Sequence, residues 1–181
     1  FDPTDALARA ILYQQLSGKA AATIVGRVEA AIGAAVLHAD TLSRIDDAGL
    51  RACGVSGNKT LALRDLAARD ARGEIPTLRE MSALDDAAII ERLTAIRGIG
   101  RWTVEMMLMF QLGRPDVLPV DDLGVRKGAQ LLDKLEEMPK PRELAERGEA
   151  WGPYRTLAGL YLWRIVDATT PAKPPVKRSQ D

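Results

Sequence analysis

The sequence predicts an all-α fold, and three observations predict it. Apolar residues recur at helical spacing through nearly the whole chain. No segment alternates apolar and polar residues between hairpin signals, as a half-buried strand would. The ten prolines fall between the periodic segments and never inside one, where the ring would break a helix. Roughly eight to ten short helices on short connections fill a chain of this length.

Each segment carries its own reasons. In "TDALARAILYQQL", Leu7, Ala10 and Ile11 share a face and Thr4 is a candidate N-cap. "AAATIVGRVEAAIG" sets Ala21, Ile24, Val25, Val28 and Ile32 at helical spacing, and Gly33 follows as a stop. "TLSRIDDAGLRACG" reads as one or two short helices and "KTLALRDLAARDARG" as a longer one. "MSALDDAAIIERLTAI" carries Ile89, Ile90, Leu93 and Ile96 on one stripe. "RWTVEMMLMFQLG" is apolar nearly all round, which predicts a helix at the centre of the core. "DLGVRKGAQLLDKL", "PRELAERGEAW" and "PYRTLAGLYLWRIVD" complete the set, the last two led by prolines suited to a first turn. These segments group as one domain over residues 1–170, and the proline- and lysine-rich residues 171–181 are expected to be a disordered tail.

Composition narrows the chemistry. One cysteine, Cys53, rules out an internal disulfide and any four-cysteine zinc or iron–sulfur site. One histidine, His38, leaves little room for a histidine metal centre or a serine triad. No apolar run approaches the roughly 20 residues of a membrane span and no leader is legible, so no membrane partner and a cytoplasmic setting are expected. The 25 basic and 25 acidic residues cancel. The last eleven residues hold three bases and one acid, which leaves the rest at a net charge of −2. Such a chain does not grip nucleic acid by bulk charge, so any contact must be local.

One bend is built for a local contact. In "RGIGRWTVEM", Gly98 and Gly100 allow a turn and close backbone approach, and Ile99 plugs the flanking helices together. The following helix opens with amides free to meet a phosphate. Arg97 and Arg101 flank the bend, and no acid occurs between Glu91 and Glu105. The same pattern serves an ordinary αα-hairpin with a glycine cap. Downstream, "DVLPVDDLGVRKG" delivers Asp121 and Asp122 to a helix start, where either caps well.

The order "LTAIRGIGRWTVEMMLMF", then "LPVDDLGVRKG", then "WGPYRTLAGLYLW" resembles the helix-hairpin-helix DNA glycosylases, and within them the 3-methyladenine DNA glycosylase II group. The likeness runs from about Asp5 to Val166. It implies two interleaved helical lobes with the active-site cleft between them, a minimal form without the N-terminal β-domain of some members. It implies an enzyme that acts on double-stranded DNA and excises alkylated bases by hydrolysis; a bacterial-type, nucleoid-associated setting and, by default, a monomer are expected. A non-catalytic DNA-binding module, and a glycosylase for another damaged base, are the alternatives.

The resemblance assigns roles by position. The spacing Pro-Val-Asp matches Asp121 to the carboxylate that stabilises the oxocarbenium-like transition state or orients the attacking water, with Asp122 as its neighbour or cap. Trp102 stands where strand-cutting relatives keep a lysine, which implies base removal without lyase chemistry. Trp102 and Trp163 match walls of the base pocket, where an indole face attracts a cationic purine by up to ~2 kcal/mol. Core packing is the alternative for Trp163. Met106 replaces an aromatic ring found in relatives, and Tyr13 offers a further face. Gln15 matches the side chain that plugs the duplex after base flipping. Gly98, Gly100, Arg97, Arg101 and Thr103 fall at the DNA-contacting hairpin, and Ser17 and Lys19 near the backbone. No cofactor is required. The carbonyls of Thr94, Ile96 and Gly98 match a monovalent cation site for Na+ or K+.

Overall fold

The computed structural model describes residues 1–169. Among them there are eleven α-helices, one 3-10 turn and no strand, so the all-α expectation holds. The tail beginning at Pro171 lies outside the described residues. The chain divides into two compact units, each continuous in sequence, with the boundary between Leu112 and Gly113. No helix among the described residues is long and apolar enough to cross a membrane.

The first unit holds α1 (Pro3–Tyr13), α2 (Gly18–Ile32), α3 (Ala39–Leu42), α4 (Asp47–Ala52), α5 (Gly57–Ala71), α6 (Leu78–Ala83), α7 (Asp86–Thr94) and α8 (Arg101–Phe110). Its helices bury the stripes that the spacing marks out, including Leu7, Ile11, Val25, Val28, Ile89 and Leu93. Thr4 does not cap α1. Asp2 does, by accepting from the Asp5 amide, because Pro3 fits the first turn and starts the helix earlier. Thr4 is buried instead, and its hydroxyl donates to Asp70 at 2.8 Å. Gly33 stops α2 in a left-handed cap at φ +67°. The stripe from Met81 to Ile96 splits into two helices at Asp85, whose carboxylate accepts from the Ala88 amide and starts α7 afresh.

The second unit holds α9 (Leu123–Asp133), α10 (Pro141–Gly148), a 3-10 turn (Glu149–Trp151) and α11 (Arg155–Thr169). Val125, Ala129, Leu144 and Leu162 form its core. Helices α9 and α11 make its closest pairing, at Gly128. A Cβ built there would lie 2.2 Å from the Leu162 carbonyl oxygen, so only glycine lets the two backbones approach this far. The stretch leading to α9 is pinned to the start of α11. Arg155 donates to Asp116 through Nε at 2.7 Å and through its outer nitrogen at 2.6 Å. Thr156 donates to the Arg114 carbonyl and accepts from the Val117 amide. This fastening fixes the segment that delivers Val120, Asp121 and Asp122.

Candidate functional site

Helix α8 is not buried all round, contrary to the reading of its composition. Val104, Glu105, Met107, Leu108 and Met109 face the core. Trp102 is 47% exposed and Phe110 56%. With Met106 between them, these residues recur every four positions and share one face. That face looks into a cavity of about 410 Å³, whose other wall is Ala6, Ala10 and Tyr13 of α1, with Gln14 and Gln15 beyond. The structure therefore places Trp102, Met106, Tyr13 and Gln15 around one cavity. Phe110, absent from the sequence reading, supplies the extra aromatic ring. The signal for it was the i, i+4, i+8 spacing from Trp102, masked by a helix that reads as apolar on every side.

The bend between α7 and α8 has Gly98 in the left-handed region at φ +79°, with Ala62 close behind it. Gly100 is the N-cap of α8, and no side chain caps the amides there. Asp65 holds the bend from α5, with Oδ2 accepting the Arg97 amide at 2.8 Å and Arg69 Nε at 3.1 Å. Burial pushes the Asp65 carboxyl up, but those two donors outweigh it and hold it below the usual carboxylate range. The Arg97 side chain is exposed and makes no hydrogen bond or ion pair among the described residues. Arg101 is engaged, since its Nε donates at 2.8 Å to Glu105, a carboxylate only 1% exposed. Thr103 lines the cavity, so its side chain stands with the pocket group. Ser17 caps α2 by accepting from the Ala20 amide, and Lys19 is exposed in its first turn.

Of the three candidate cation ligands, Ile96 and Gly98 lie in this bend and Thr94 is the last residue of α7. The Ile96 carbonyl accepts the Ile99 amide at 3.1 Å, and the Gly98 carbonyl accepts the Gln14 side-chain amide at 2.7 Å. A carbonyl oxygen has two lone pairs, so each keeps one.

In the second unit the adjacent aspartates differ sharply. Asp122 caps α9, its Oδ1 accepting the Val125 amide at 2.8 Å. The same oxygen accepts Trp163 Nε1 at 2.8 Å. Gly124 makes this possible, since a Cβ there would lie 2.8 Å from the indole. Trp163 is half-buried and packs against the core of this unit. Asp121 is exposed and makes no hydrogen bond or ion pair among the described residues. One carboxylate is committed to structure; its neighbour is available for chemistry.

Comparison with known proteins adds a lineage to this geometry. A family model described as "HhH-GPD superfamily base excision DNA repair protein" matches residues 8–153. The chain is 39% identical over 177 residues to DNA-3-methyladenine glycosylase 1 of Schizosaccharomyces pombe, covering 96% of this chain and 78% of the relative. The crystal structure of a DNA-3-methyladenine glycosidase from Bacillus halodurans superposes with a TM-score of 0.83 at 42% identity, covering 91% of this chain and 75% of that one. The S. pombe 3-methyladenine DNA glycosylase in complex with abasic DNA superposes with a TM-score of 0.76 at 40% identity, covering 90% and 80%.

Proposed function

Because the chain belongs to the HhH-GPD superfamily of base excision DNA repair proteins, we propose that it is a DNA glycosylase that removes alkylated bases, 3-methyladenine among them, from double-stranded DNA. One observation carries the assignment of its chemistry: among the described residues Asp121 has no partner, beside an Asp122 that caps a helix and holds an indole.

Each step asks something specific of this chain. The hairpin amides at Gly100 and the Arg97 guanidinium meet backbone phosphates, which positions the protein without reading sequence. A nucleotide leaves the stack, and Gln15 fills the gap it vacates. The extruded base enters the cavity beside Trp102, Tyr13, Met106 and Phe110. Alkylation at a purine ring nitrogen leaves the base positively charged, which favours its contact with aromatic faces. The charge also makes it a good leaving group, so little acid catalysis is needed. As the glycosidic bond breaks, positive charge develops on the sugar and the Asp121 carboxylate stabilises it. Water then completes the hydrolysis, leaving an abasic site. With Trp102 in place of a lysine there is no amine to form a Schiff base, so the strand stays intact. The carbonyls of Thr94, Ile96 and Gly98 would hold a sodium or potassium ion, which would add positive charge near the phosphate contact.

The test is product analysis on randomly methylated duplex DNA. Wild type releases methylated purines, and Asp121→Asn loses at least ~100-fold in rate while still retarding abasic-site DNA in a gel. Borohydride trapping yields no covalent adduct with either protein. Release by Asp121→Asn at the original rate overturns the assignment.

A further inference from the structure

The turn that carries Gln15 is held in an unusual way. Gln15 has φ +58°, in the left-handed region that disfavours a residue with a Cβ. It follows directly on the end of α1, where the last carbonyls lack helical partners. Two contacts from distant parts of the chain occupy this end. Lys59 Nζ, from the first turn of α5, donates to the Leu12 carbonyl and to the Gln14 carbonyl, each at 2.7 Å. The Gln14 side-chain amide donates to the Gly98 carbonyl of the hairpin, also at 2.7 Å. Gln14 is therefore gripped at its backbone by one element and at its side chain by another, immediately before the strained residue.

Lysine suits the task. Its ammonium offers several donors from one point, enough to serve two carbonyls together. Burial pushes its pKa below the usual lysine range, and no carboxylate among the described residues offsets that cost. The charge is directed at backbone oxygens instead of a counter-ion. Gln15 itself sits on a ridge, lining the aromatic cavity on one side. On the other it lines a polar pocket of about 370 Å³ with Asn58, Lys59, Arg97 and Gly98. A side chain that must enter a duplex from such a ridge needs a fixed root.

We infer that Lys59 and Gln14 form a clamp that sets the position of Gln15 and couples it to the hairpin, so that both are positioning residues for base flipping. This rests on the reading that Gln15 fills the vacated stack.

The clamp can be tested without any excision step. The probe is a duplex carrying a tetrahydrofuran abasic analogue with 2-aminopurine in the opposite strand, titrated to saturation by the full chain. Wild type changes the 2-aminopurine fluorescence as Gln15 enters. In Lys59→Met the change at saturation falls about fivefold, the factor that ~1 kcal/mol of left-handed strain at Gln15 corresponds to. Lys59→Arg recovers at least half of it. Gln14→Leu, which removes only the tie to Gly98, also lowers the change and serves if Lys59→Met does not fold. A clamp that merely supports the fold would lower melting temperature and affinity together and leave the change at saturation intact; that result overturns the inference. A wild-type protein that binds the probe with no fluorescence change overturns instead the wedge reading beneath it.

Discussion

Replacing Asp122 with alanine separates the structural aspartate from the chemical one. The substitution removes the N-cap of α9, worth about 1 kcal/mol. It also takes the acceptor from Trp163 Nε1. The indole is half-buried, so that loss falls at the low end for an unmade hydrogen bond, about 1 kcal/mol. Together these predict a destabilisation of about 2 kcal/mol, or a fall in melting temperature of about 4–8 °C for a chain of this size. Asp122→Asn keeps a good cap and an oxygen at Oδ1, and should cost about 0.5 kcal/mol or less. Asp121→Asn, at an exposed position with no partner among the described residues, should melt within about 0.5 kcal/mol of wild type yet lose excision. The assay is thermal and urea unfolding by circular dichroism, run beside single-turnover release of methylated purines. If Asp121→Asn melts as low as Asp122→Ala, or if Asp122→Asn abolishes release as fully as Asp121→Asn, the division of roles is wrong.

Two further predictions concern the frame of the site. Gly26 lies inside α2 with no atom within 4 Å of a built Cβ, so Gly26→Ala should stabilise by about 0.5–1 kcal/mol. Gly128→Ala gains the same propensity, but its Cβ meets the Leu162 backbone at 2.2 Å, and an overpacking cost of about 1–3 kcal/mol or more should win; urea midpoints moving in the same direction would refute the close-approach argument. Asp65 holds the hairpin with a carboxyl whose folded pKa lies below its ordinary value of 3.8. Its contribution is therefore full above that value and disappears as pH falls through it toward the folded pKa. The melting-temperature gap between wild type and Asp65→Asn should be constant above about pH 5 and narrow below about pH 4; a gap that persists in acid would count against the pairing with Arg97 and Arg69.

Much of the fold was legible because its causes are local. The stop at Gly33, the start at Pro141 and the buried stripe of α2 each depend on residues within a turn or two. Thr4 misled because Asp2 and Pro3, just upstream, start the helix sooner. Helix α8 misled in another way: its apolar residues divide between core and cavity, and hydrophobicity does not distinguish a packed surface from an empty one.

The sequence by itself determined the helical class, the glycine bend with its flanking arginines, and a pair of aspartates at one helix start. Which aspartate is committed was decided by Trp163, 41 residues away, and by the absence of a Cβ at Gly124. The grip on Gln15 comes from Lys59 and from Gly98, and the latter contact joins residues 84 apart in sequence. Caps and helical faces arise from backbone hydrogen bonds that span a few residues, so composition and spacing reveal them. A carboxylate's occupancy and a turn's restraint depend on which distant donors packing brings within 3 Å, and the linear order of residues does not contain that distance.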